Sequence, residues 1–207
     1  MEARSETAWR TGTATIAGSR IVYREAGAGS TVLCLHRGDA VPRAIGLMAA
    51  RRRVVSLALP RGVAADEVLS VLGLERCDVL AIGPEAPCAL RLKAAAPEQI
   101  GAVVLLAPTL LAADGDPADP ADRDILGIIG EATRPCLALF GTRDEIVPVV
   151  CARHYRESMP DCNLIFVYDA GQAMAEERPE AVASIVLDFL ERHNLFLVRR
   201  ESDLIFP

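Results

Sequence analysis

Four side chains in this sequence carry chemistry next to apolar, strand-like runs: His36, Glu85, Cys88 and Asp144. A cysteine attacks as its thiolate, and a glutamate or histidine can take a proton from a reacting group. Glu85 and Cys88 follow the run Val79-Leu80-Ala81-Ile82 and open a helical pattern. Each also has a plainer reading. A thiol early in a helix usually packs as a small apolar group. A glutamate in a first helical turn caps backbone N–H groups or faces solvent. Between Leu80 and Pro87 there is no Ser, Thr, Cys, Asp or His. Arg51-Arg52-Arg53 reads as a solvated loop entering a strand, with a phosphate or partner patch as the sharper alternative. His154 and His193 fall on helical patterns and read as surface residues.

Elements are needed to hold these groups. Residues 21–25, 31–35, 53–59, 77–82, 102–106, 136–140 and 163–168 are short apolar runs that read as strands. Helical spacing covers 66–72, 86–96, 148–158 and the segment from Pro179 on, where Val182, Ile185, Val186, Phe189 and Leu190 share a stripe. Residues 112–120 form a loop, and Asp119 caps a helix with Pro120 at its first position and Ile125, Ile128 and Ile129 on its apolar face. This alternation predicts a mostly parallel α/β sheet with helices on both faces.

A chain of 207 residues suits one sizeable domain, here 1–194. The tail 195–207 is apolar at both ends, so it packs back on the domain or against a second copy of the chain. Aromatics are only 4% of the residues, which leaves Ala, Val, Leu and Ile to build the core. The net charge of −6 argues against non-specific nucleic-acid binding. No apolar run reaches the length of a membrane span, and the charged start has no apolar leader segment. Six scattered cysteines with no C-x-x-C pair read as free buried thiols in the cytoplasm rather than disulfides or a zinc site. The expectation is a protein without cofactor or metal, whose partner is a small-molecule ligand and neither nucleic acid nor a membrane.

From about Thr13 to His193 the order of short motifs resembles the α/β-hydrolase superfamily. Tyr23-Arg24-Glu25-Ala26-Gly27 is similar to its second strand and turn, and His36-Arg37-Gly38 to its His-Gly oxyanion segment. Leu59-Pro60-Arg61-Gly62 resembles an eroded Asp-Leu-Pro-Gly-His-Gly stretch. Residues 90–98 and 103–108 resemble the helix and strand after the nucleophile. Phe140-Gly141-Thr142-Arg143-Asp144 is similar to the segment of the catalytic acid, and Ala170-Gly171-Gln172 to that of the catalytic histidine.

That family implies a nucleophile on a strained strand-to-helix turn, a histidine base, an orienting acid and two backbone N–H donors for the oxyanion. Carried over, the nucleophile pattern becomes Ala81-Ile82-Gly83-Pro84-Glu85. Gly83 has no side chain, Pro84 has no N–H, and Gln172 replaces the histidine, so only the acid Asp144 remains. Glycine would relieve the about 1–3 kcal/mol that such a turn stores. Gln172 keeps an amide N–H that is expected to reach the Asp144 carboxylate. The lid region, about 109–134, is short and implies a shallow pocket lined by His36, Arg37, Gly38, Pro84, Glu85 and Cys88. The implied function is a non-catalytic binding or regulatory pseudo-hydrolase. The alternative is a hydrolase or lyase-type enzyme acting on a small ester or acyl substrate through Glu85, Cys88, His36 and Asp144.

Overall fold

Val32-Leu33-Cys34-Leu35 is apolar at every position because its strand is covered on both faces. Leu33 and Leu35 point into one core, and Val32 and Cys34 into the other. The computed structural model describes residues 8–16, 18–58, 65–112, 115–119, 122–128 and 135–192. Its strands are β1 (Arg10–Ile16), β2 (Ser19–Ala26), β3 (Thr31–His36), β4 (Arg53–Ala58), β5 (Cys77–Ile82), β6 (Ile100–Leu106), β7 (Cys136–Gly141) and β8 (Cys162–Val167). They form one sheet in the order β1-β2-β4-β3-β5-β6-β7-β8. β1 and β2 run antiparallel, and all pairs from β4 to β8 are parallel.

Helices α1 (Arg43–Met48), α6 (Met174–Glu177) and α7 (Pro179–Arg192) cover one face, where Ile45, Met48, Val182, Val186 and Phe189 are buried. Helices α2 (Ala65–Val71), α3 (Ala86–Ala95), α4 (Ile125–Ile128) and α5 (Ala152–Ser158) cover the other, with Val68, Leu90, Ile125 and Tyr155 buried. The stripe expected from Pro179 onward is the buried face of α7, with Ile185 at its edge. Among the described residues no helix is long and apolar enough to cross a membrane.

Several sequence expectations need correction. β1, α1 and α6 are additional elements, and β6 begins at Ile100. The helix expected behind Asp119 is the short α4, which starts only at Ile125; Pro120 and Ile129 lie outside the described residues. Pro148 opens a single 3-10 turn, Val149–Cys151, before α5. The motif 59–62, His193, the tail 195–207 and part of the lid also lie outside the described residues. Of the arginine triplet, Arg52 is buried, against the expectation of a solvated loop.

β3 connects through α1 to β4 on one side, and the chain then crosses back to β5 on the other side of β3. In a parallel sheet a crevice forms beyond the carboxyl ends of the strands where the chain order reverses in this way. His36, Gly83 and Ala107 lie at the carboxyl ends of β3, β5 and β6. Asp144 and Gln172 are on the loops that leave β7 and β8.

Candidate functional site at the carboxyl end of the sheet

β5 runs extended to Ile82 (φ −112°, ψ 125°), and Gly83 then turns to φ +59°. Only glycine takes that left-handed conformation without steric cost. One 3-10 turn, Gly83–Glu85, leads directly into α3. The Gly83 carbonyl accepts the N–H of Ala86 and, at 3.2 Å, that of Thr109, so the turn is tied to the segment after β6. A Cβ built on Gly83 would lie 3.0 Å from Nε2 of Gln172 and 4.0 Å from the carbonyl oxygen of Ala107.

Gln172 Nε2 donates to that same Ala107 carbonyl at 3.2 Å. Ala107 is itself at φ +44°, an unfavourable angle for a residue with a Cβ. Its N–H is held by Leu139 O at 2.9 Å, which fixes the carbonyl's direction toward the site.

The acid loop approaches the Gln172 loop because of Gly141. A Cβ there would sit 2.3 Å from Ala170 O, and Arg143 N–H donates to that oxygen at 2.9 Å. The expected hydrogen bond from Gln172 to Asp144 is nevertheless absent. Asp144 Oδ1 accepts the N–H groups of Ile146 and Val147, both at 2.8 Å, in a turn of its own loop. Asp144 Oδ2 and Gln172 Oε1 are buried and have no partner among the described residues. The amide went to Ala107 because that strained carbonyl points at it.

The β3 side of the site is arranged differently. His36 Nδ1 lies 3.1 Å from the Arg37 carbonyl, which only accepts, so Nδ1 carries the proton. Burial holds the imidazole below its ordinary pKa and keeps it neutral. Nε2 is then an acceptor, and the Ser56 hydroxyl donates to it at 2.8 Å. This is the hydrogen bond of a serine–base pair, but Ser56 is only 2% exposed on β4, where no substrate reaches it. Ser56 was missed in the sequence; its one signal was a lone hydroxyl inside the apolar run of β4.

Arg37 Nε donates to Glu85 Oε1 at 3.1 Å and joins the loop after β3 to the turn after β5. Glu85 is buried, which corrects its reading as a solvated or capping residue; it makes no side-chain cap. Gly38 has φ +83°, and Pro84 is exposed beside Gly83. Cys88 packs against the core under α2 to α5, and burial, followed by Glu85, pushes its thiol up to about 12. A thiol so raised stays protonated at neutral pH. The other five cysteines are free and buried, as expected. The structure therefore joins His36, Arg37 and Glu85 in one group and Gly83, Gln172 and Ala107 in another.

No protein-family model matches the sequence. No curated protein matches it either. Solved structures do share the fold. A serine hydrolase of carbazole degradation, CarC, superimposes with TM-score 0.73 at 17% identity, over 89% of this chain and 99% of that one. A CIB-like hydrolase from Thermoplasma acidophilum gives 0.72 at 16% identity, over 89% and 98%. The meta-cleavage product hydrolase CumD from Pseudomonas fluorescens gives 0.72 at 13% identity, over 90% and 98%. At these identities the likeness establishes the fold, which is that of the α/β-hydrolases.

Proposed function

We propose that this protein is a binding or regulatory module built on an α/β-hydrolase fold whose hydrolytic machinery is dismantled. The contact between Gly83 and Gln172 carries the reading. The direction in which a nucleophile would be built points at an amide nitrogen 3.0 Å away. Glycine cannot form a covalent intermediate, and an amide cannot act as a base at neutral pH. Pro84 supplies no N–H to an oxyanion. Asp144 has committed Oδ1 to its own loop.

The alternative, turnover of a small ester or acyl substrate by Glu85, Cys88, His36 and Asp144, has less support. Glu85 is engaged by Arg37, His36 by Ser56, and the Cys88 thiol is protonated at neutral pH. Ester hydrolysis by the wild type, compared with a Gly83→Ser, Pro84→Met, Gln172→His triple variant, tests the proposal. The wild type is expected to show no turnover above the spontaneous rate and the triple variant to gain some. Wild-type turnover that Glu85→Gln or Cys88→Ala abolishes would establish the alternative instead.

A further inference from the structure

The opposite end of the sheet holds a second polar region. A cleft of about 520 Å³ opens at the amino-terminal ends of β3, β5 and β6, beside the last turn of α7. Its polar wall is made by Ser30, Thr31, Arg52, Arg76, Asp78 and Glu191. Both acids already have partners. Asp78 Oδ1 accepts the Ala102 N–H at 2.9 Å, and Glu191 pairs with Arg51 at 2.5 Å.

The two arginines differ in how they are held. The Arg52 side chain is 10% exposed and forms an ion pair with Asp78 at 3.7 Å, longer than a hydrogen bond. A guanidinium carries five N–H donors, and one carboxylate at that distance cannot occupy them all. Arg76 stands exposed on the rim and has no ion pair among the described residues. Ser30 and Thr31 add hydroxyls. Thr31 Oγ1 accepts from Arg53 at 3.4 Å, which leaves its own proton free to donate.

We propose that this cleft binds the oxyanion head group, phosphate or carboxylate, of a small organic molecule. Arg52 and Arg76 are its charged donors, and Ser30 and Thr31 its neutral ones. The planar fork of a guanidinium matches both head groups. Cys77 and Leu190 provide an apolar wall for the organic body. The cleft lies across the sheet from Gly83 and Gln172, so it does not depend on the loss of hydrolysis there.

Isothermal titration calorimetry on the full chain, with chloride holding the ionic strength constant, tests this with inorganic phosphate, glycerol phosphate and malonate. Saturable binding of at least one is expected, and the preferred anion identifies the head group. Arg76→Ala, a rim substitution that leaves the fold intact, should weaken that binding about tenfold. Arg52→Lys keeps the charge but loses the fork, and should weaken it as well. Gln172→Ala should leave it unchanged. Absence of saturable binding by all three anions, or binding that both arginine variants leave intact, overturns the proposal.

Discussion

On the β3 side of the candidate site the polar groups consume one another. His36 holds Ser56, and Arg37 holds Glu85. On the β5–β8 side they do not: Gln172 Oε1 and Asp144 Oδ2 are buried without partners among the described residues, and Gln172 Nε2 faces Gly83. Both sides have reactive residue types, and they are bonded in different ways. The first is paired internally, and the second keeps acceptors that nothing among the described residues satisfies. Residue type alone therefore says little about chemistry in this fold; what each group is bonded to decides it.

Removing Asp144 should produce the largest effect. Asp144→Ala strips acceptors from the Ile146 and Val147 N–H groups and should cost about 2–3 kcal/mol. Asp144→Asn keeps Oδ1 and should cost less than about 1 kcal/mol. Chemical denaturation reads both. Equal losses would mean that the charge, rather than the loop turn, is what Asp144 contributes.

The His36–Ser56 pair sets the next scale. His36→Ala leaves the Ser56 hydroxyl unpaired in the sheet and should cost about 2 kcal/mol. The same histidine has a pH signature. Its folded pKa is lowered by burial, so the unfolded chain binds the proton more readily. Stability from this group is therefore present above the unfolded value of about 6.5 and is lost as pH falls through the folded value. Denaturation curves from pH 7.5 to 5 should show a decline that His36→Gln reduces. An unchanged decline would remove His36 from the scaffolding role.

Strain at Ala107 should give the smallest change. Ala107→Gly relieves φ +44° and should raise stability by up to about 1 kcal/mol, the relief being partly offset by glycine's greater freedom in the unfolded chain. A loss of stability would mean that the Ala107 methyl packing outweighs the strain.

The fold was legible where burial imposes pattern. β3 and β6 show as apolar runs because both faces are covered, and α7 shows as a stripe because only one face is. β1 was not legible: Arg10-Thr11-Gly12-Thr13-Ala14-Thr15-Ile16 is an edge strand with little buried surface. α1 and α6 are too short for a helical period to emerge. Motif order pointed to Gly83 and Gln172, which the structure places side by side. The partners were not found, because they depend on tertiary register. Gln172 meets Ala107 across 65 positions, and His36 meets Ser56 only because β3 and β4 pair in parallel. The burial of Arg52 could not be read from a run of three arginines.

The most direct test of the central claim is intact-protein mass spectrometry after exposure to a fluorophosphonate, which phosphonylates activated serines. With Gly83 at the turn after β5 and Ser56 buried, the wild type should keep its unmodified mass under conditions that fully label an active serine hydrolase. Stoichiometric labelling of the wild type at any serine would contradict the account and restore a working nucleophile to this fold.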